Sequence, residues 1–329
     1  MSKLLIIYHK EDNDGVMSAA IAKAYAVSHS GYDEDDITYL PMDYNTARNL
    51  DKGFLEELCN MSDNIIMTDF SLSADMMKMI KKLKGNHFIW IDHHAPALKT
   101  SHENGYSDIP GERDTNMSAI LLAYRFFYDP LMIEYNNGNC PELLRILSAW
   151  DSFSYKREGY DLEYVKKINS AFTAKYNLSL ENVYKWVVEG MMYEFDCNEF
   201  NTIEQKEEIV MLENDGNFID RYERSKNSRL VDEYGDNSWT VDGKPATALF
   251  KQGASSSMMF RDSVNPHGIV FKRNKDGSWT VSVYNRDVDN TFHCGEYLKK
   301  KYNGGGHTGA AGCIISENTF VKLLKSHEL

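Results

Sequence analysis

The chain has 329 residues, with 36 Lys plus Arg against 49 Asp plus Glu and a net charge of -13. That length allows about two domains and a sizeable core. The acid excess excludes a protein that coats long duplex nucleic acid through its charge, and leaves room for a small anionic substrate reached through bound cations.

The five cysteines, Cys59, Cys140, Cys197, Cys294 and Cys313, are odd in number, widely spaced and without a C-x-x-C, so neither a disulfide framework nor a zinc ribbon is expected. The first apolar run, Leu4 to Tyr8, is too short for a secretory core, and no run approaches a membrane span. A cytoplasmic protein without membrane contact is the expectation.

Leu4 to Tyr8 reads as a first strand running into His9-Lys10-Glu11-Asp12-Asn13-Asp14-Gly15. A helix rich in Ala follows over Gly15 to Val27, then a strand over Thr38 to Pro41 and a helix over Arg48 to Asn60. Asn64 to Thr68 is a strand ending at Asp69, and Ala74 to Lys84 a helix whose Met76, Met77 and Met79 serve as core filler. Phe88 to Ile91 is a short strand that delivers Asp92-His93-His94. Helices over Met117 to Tyr128, Glu142 to Ala149, about 161–193 and 202–226 complete this half, the second of them ending at Trp150-Asp151. Such alternation predicts βαβ units and a parallel sheet.

After Arg229 the composition changes. Leu249-Phe250, Gly268 to Lys272 and Ser278 to Tyr284 read as strands, with Asn274-Lys275-Asp276-Gly277 as a hairpin turn between the last two. The fold class expected is α/β, an N-terminal doubly wound, mostly parallel sheet joined by a helical linker to a smaller α/β C-terminal substrate domain. The corresponding segments are 1–195, 196–235 and 236–329.

Three apolar runs thus end in residues that bind hard metals. His9, Asp12 and Asp14 offer an imidazole and two carboxylates within six residues, a set suited to Mn or Mg; capping of the next helix is the plainer use of both acids. Asp69 could equally cap a helix, and Asp151 be a loop acid. Convergence separates the readings, because parallel strands place their carboxyl ends along one edge and bring His9, Asp12, Asp14, Asp69 and His93 into one crevice.

H-x-x-D-x-D-G at His9 to Gly15, the strand-end Asp69, the D-H-H at Asp92 to His94 and the later Asp151 resemble, in order, the four motifs of the DHH phosphoesterase superfamily. Gly304-Gly305-Gly306-His307-Thr308-Gly309-Ala310-Ala311-Gly312 resembles the G-G-G-H signature of its associated substrate domain. The pairing is similar to the compact branch of nanoRNases, oligoribonucleases, phosphoadenosine phosphatases and cyclic-dinucleotide phosphodiesterases.

The resemblance implies two divalent cations, Mn preferred and Mg possible. One would be held by His9, Asp12 and Asp69, the other by Asp14, Asp69, His93 and Asp151, with Asp69 shared. It implies catalytic roles for Asp69, Asp92 and His94, the last two orienting His93 or touching phosphate, and substrate contacts for Gly304, Gly305, Gly306, His307 and Arg286. The function implied is two-metal hydrolysis of short oligonucleotides to nucleoside monophosphates. Cyclic dinucleotides, phosphoadenosine phosphate and polyphosphate are alternative substrates, and a nucleotide-binding module without catalysis is the alternative outside the enzymes. A homodimer stays open. Two departures leave the substrate open: Tyr284 stands where many nanoRNase-type members carry Arg in an S-x-R-S segment, and the first motif lacks the Pro of H-x-x-P-D-x-D.

Overall fold

A computed structural model describes residues 2–128, 140–192, 203–250, 260, 263–286, 292–306 and 308–329. Two compact units, Met1–Ile219 and Asp220–Leu329, divide the chain inside a long helix, Ile203–Tyr234. The 196–235 linker expected from sequence overlaps that helix, and its start at 196 lies outside the described residues.

The first unit is built on four parallel strands in the order β2-β1-β3-β4. These are β1 (Leu4–His9), β2 (Ile37–Met42), β3 (Asn64–Thr68) and β4 (Phe88–Ile91). Period-2 alternation sends their apolar side chains to opposite faces. Leu4, Ile6, Tyr8 and Ile66 join one core, while Leu5, Ile7, Met67 and Trp90 join another. Burial on both faces requires helices on both sides.

α1 (Asn13–His29), α6 (Ala119–Tyr128), α7 (Glu142–Asp151) and α9 (Leu162–Tyr176) build the first core. On the opposite face, α3 (Lys52–Met61) and α4 (Ala74–Lys84) contribute Leu55, Cys59, Met77 and Ile80. The doubly wound expectation is met, and Met77 is fully buried as filler. α1 is buried on nearly every side, which its small residues Ala19, Ala20, Ala22 and Ala24 permit.

Two local readings need correction. The helix expected over Arg48 to Asn60 begins only at Lys52 as α3, after a separate short helix α2 (Tyr44–Arg48), because the Asp51 side chain accepts from Phe54 N at 2.8 Å and starts a new helix. The helix expected from Gly15 begins at Asn13, and Gly15 lets it approach the end of β1, since a Cβ there would lie 2.1 Å from the His9 carbonyl oxygen. α5 (Ala95–Asn104) was not expected from the sequence. It follows His94 with Pro at its first turn and carries little apolar periodicity.

The second unit holds a six-stranded sheet of order β5-β6-β7-β8-β10-β9, antiparallel except for the β6/β7 pair. The strands are β5 (Asp236–Val241), β6 (Lys244–Leu249), β7 (His267–Arg273), β8 (Trp279–Asn285), β9 (Gly305–Gly306) and β10 (Ala310–Ile315). Trp239, Phe271, Val281 and Val283 form its main core with helices Cys294–Tyr302 and Glu317–Ser326.

Candidate metal centre

Each acid or imidazole named from the first half stands at or beside the end of a strand or helix. His9 is the last residue of β1, Asp12 the N-cap of α1, and Asp14 lies in the first turn of α1. Asp69 follows β3 and Asp92 to His94 follow β4, while Asp151 ends α7. Asp69 leaves its strand with φ at 52°, the left-handed region that side chains seldom occupy. Its amide still donates to Ile91 O at 2.9 Å, so the turn is fixed between neighbouring strands.

These positions converge. His93 Nε2 lies 3.4 Å from Asp14 Oδ2, 3.3 Å from Asp69 Oδ1 and 3.2 Å from Asp151 Oδ2. His9 Nε2 lies 3.4 Å from Asp12 Oδ2. Two overlapping sets have the spacing to hold a cation, Asp14 with His93 and Asp151, and Asp69 with His93 and His94. The second set adds His94, for which an orienting or phosphate-contacting part is the expectation from sequence.

Capping and convergence turn out to be compatible. Asp12 Oδ1 accepts from Gly15 N at 3.0 Å and caps α1, while its Oδ2 is the oxygen nearest His9. Asp14 accepts at 2.8 Å from both Ala119 N and Ile120 N, so its carboxylate also satisfies buried amides in the first turn of α6, where the helix offers no partner of its own. Asp92 is fully buried, and its Oδ1 accepts from the amides of His93 and His94 and bonds His94 Nδ1 at 2.8 Å. That contact fixes the His94 ring and leaves Nε2 as its second functional atom.

The electrostatics are unbalanced without a cation. Burial first, and the neighbouring Asp151 second, push Asp14 up to about 7. Burial and then Asp14 raise Asp69 well above the usual carboxylate range, and burial with Asp151 raises Asp12. Asp151 goes the other way: burial opposes its charge, but His93, 3.2 Å away, holds it low. Burial also opposes a charge on His93, yet Asp151 and Asp69 outweigh it and lift that imidazole to about 11. Meanwhile His9 Nδ1, Asp69 Oδ1 and His93 Nε2 are buried without a hydrogen-bond partner among the described residues. Buried polar atoms are rarely left so. Oxygen and nitrogen donors aimed at shared points, short of charge and short of hydrogen bonds, fit divalent cations.

Sequence reasoning missed the surroundings. Segment 110–113 runs beside β4: Trp90 N donates to Pro110 O at 2.8 Å and Asp92 N to Glu112 O at 3.2 Å. Arg113 donates to the carbonyls of Trp90, Ser107 and Ile109 and lies over the Trp90 ring, which holds the strand end that carries Asp92. A second omission is Tyr44, which packs on His9 with ring centroids 5.5 Å apart. Its place directly after a strand, behind the capping Asp43, was the available signal.

In the second unit, His307 lies outside the described residues. Gly304 and Gly306 are dictated by packing, since a Cβ would lie 2.5 Å from Gly312 O at the first and 2.5 Å from Ala311 Cα at the second. Gly305 is different, with nothing among the described residues within 4 Å of its added Cβ. Arg286 sends Nη1 to Ser263 O at 2.8 Å, so part of its guanidinium is engaged within the unit. Tyr284 is buried in a small core with Leu249, Phe260 and Val270, where an arginine would be costly.

Residues 3–149 match the family model described as the DHH family, N-terminal domain. Over 323 residues, 95% of this chain and 73% of the relative, the sequence is 23% identical to oligoribonuclease NrnB of Bacillus subtilis strain 168. The fold is similar to a DHH domain described as belonging to a member of a family of ribosomal proteins, with TM-score 0.59, 13% identity and 99% and 85% of the two chains covered. It is also similar to RecJ from Thermus thermophilus in complex with Mn2+, with TM-score 0.53, 14% identity, and 99% of this chain but 51% of that one. Among the described residues no helix is long and apolar enough to cross a membrane.

Proposed function

We propose, on the premise that the chain is a DHH-family phosphoesterase whose N-terminal domain spans residues 3–149, that it hydrolyses short oligonucleotides to nucleoside monophosphates with two divalent cations. The observation that carries the reading is the convergence of Asp14, Asp69 and Asp151 on one buried imidazole nitrogen of His93, with Asp69 Oδ1 and His93 Nε2 both lacking hydrogen bonds. The likeness to an oligoribonuclease across 95% of the chain supports the substrate class, and the Mn2+ of the RecJ structure supports the choice of metal.

His9, Asp12 and Asp69 would hold one cation, and Asp14, Asp69, His93 and Asp151 the other. Bound there, the cations supply Lewis-acid polarisation of the phosphoryl group and activation of water. The protein's own part is orientation. Asp92 accepts from His94 Nδ1 and, against burial, raises the pKa of the ring, and in the imidazolium form Nε2 can donate to a phosphate oxygen. The buried carboxylates fix the positions of charge before substrate arrives. Gly305, with open space where a side chain would be, offers its main chain to a phosphate.

The test is the purified chain with Mn or Mg against di- to pentanucleotides, cyclic dinucleotides, phosphoadenosine phosphate and polyphosphate. Nucleoside monophosphates from the short linear substrates are expected. Turnover confined to another member of the panel would reassign the substrate, and turnover of none would remove the hydrolase reading.

A further inference from the structure

Three aromatic rings lie beside the end of β1. His9 and Phe70 stack with centroids 5.9 Å apart and planes 6° apart, and Tyr44 packs against both at 5.5 Å, tilted by 46° and 40°. His9 and Phe70 are buried, whereas Tyr44 is 51% exposed. The three rings therefore form one block with a single member open to solvent. The open ring touches an imidazole that the proposed function makes a metal ligand.

The ring is also held in place. Tyr44 opens α2, whose N-cap Asp43 accepts from Thr46 N at 2.7 Å and pairs with Lys10 Nζ at 2.7 Å. Lys10 is the neighbour of His9 in sequence, so the short helix is tied back to the strand end that carries the site. A ring fixed in this way loses little freedom when a flat ligand covers it. Every nucleobase has an apolar face, and aromatic platforms are the sequence-tolerant means of holding one.

We propose that Tyr44 is the stacking platform for a nucleobase flanking the bond that is cut. The inference rests on the hydrolase reading and deepens it. It assigns to the first unit a substrate contact that depends on the base, while the metal ligands depend only on the phosphate. Such a platform favours nucleotides over phosphodiesters without bases and discriminates weakly among bases.

The test compares the wild type, Tyr44→Ala and Tyr44→Phe on a dinucleotide and on the same backbone with abasic positions. Calorimetric titration of Mn into each protein without substrate provides the second readout. Tyr44→Ala should raise KM for the dinucleotide roughly tenfold or more, leave the abasic substrate unaffected and leave Mn affinity unchanged. Tyr44→Phe keeps the ring and should restore the dinucleotide KM. An unchanged KM in Tyr44→Ala, or an equal loss on both substrates, would overturn the platform while leaving the hydrolase reading in place. Weakened Mn binding in Tyr44→Ala would overturn it in favour of support for His9. If the wild type neither binds nor cleaves any dinucleotide, the short-oligonucleotide reading on which the platform rests fails.

Discussion

Asp69 Oδ1 faces His93 Nε2 across 3.3 Å, and neither atom has a hydrogen-bond partner among the described residues. A buried acceptor and a buried imidazole nitrogen in that relation share a need that the protein does not meet from its own groups. Removing one of them should therefore be felt first in metal binding. Asp69→Asn keeps a residue tolerant of the left-handed backbone and removes only the charge, whereas Asp69→Ala removes both. Both variants should lose Mn affinity by about 100-fold or more and lose hydrolysis, with Asp69→Ala also less stable. Normal Mn titration in Asp69→Asn would mean that the shared ligand is misassigned.

Metal binding should release protons and weaken in acid. Burial, then the charge of Asp151, places Asp14 at about 7 in the metal-free protein. As pH falls through that value the carboxyl gains a proton that a cation must displace, so affinity drops by about tenfold per pH unit for each proton displaced. His93, lifted to about 11 against burial by Asp151 and Asp69, carries a proton at neutral pH and must also give it up. Calorimetry in two buffers of different ionisation heat measures the release. A Mn affinity that stays flat from pH 8 to pH 6 would contradict the arrangement.

Away from the site and within the first unit, Glu208 ties the early turns of helix Ile203–Tyr234 to the end of α9 and to Trp186. It accepts from Trp186 Nε1 at 2.6 Å, Tyr176 OH at 2.7 Å and Lys175 Nζ at 2.8 Å. Burial opposes its charge, but these three donors together hold its carboxyl below the ordinary value. A carboxyl whose folded pKa is depressed stabilises the fold above the unfolded value and loses that contribution as pH falls through the folded one. Glu208→Ala should cost about 2 kcal/mol at pH 7, measured by urea unfolding, and the difference from wild type should shrink in acid. A difference that grows on acidification would refute the sign.

The glycines of the 304–306 run should separate by role. Gly305→Ala places its Cβ in open space and should fold with an unchanged melting temperature. Its effect should appear as a KM for short oligonucleotides raised roughly tenfold, because a backbone–phosphate approach is blocked. Gly304→Ala meets Gly312 O at 2.5 Å and should lower the melting temperature instead. Equal behaviour of the two would show that the run serves packing alone.

Much of the first unit was legible because strands buried on both faces read as short apolar runs, and because parallel pairing fixes which ends meet. His9, Asp69 and His93 could be placed together from that rule, without knowledge of any contact. The join between α2 and α3 was lost because apolar spacing continues through it, and only the Asp51 side chain marks the restart. Tyr44 was missed since one aromatic after a strand has no period, and its meaning lies in rings brought from β1 and the end of β3. The capping of α6 by Asp14 spans 105 positions in sequence, a distance over which local pattern says nothing. In the second unit, Tyr284 looked like a substrate determinant by position, but strand alternation turns it into a small core.

To a divalent cation an imidazole and a carboxylate are near substitutes, and positions 9 and 93 carry imidazoles. Position 14 is closed to that exchange. Its side chain must accept from two main-chain amides at the head of α6 while facing His93, and an imidazole has one acceptor nitrogen at most. The routes by which such a centre can change its ligand chemistry are therefore unequal. Under the proposed ligand set, position 9 can vary within the cation's tolerance, whereas altering position 14 also removes the anchor of a core helix.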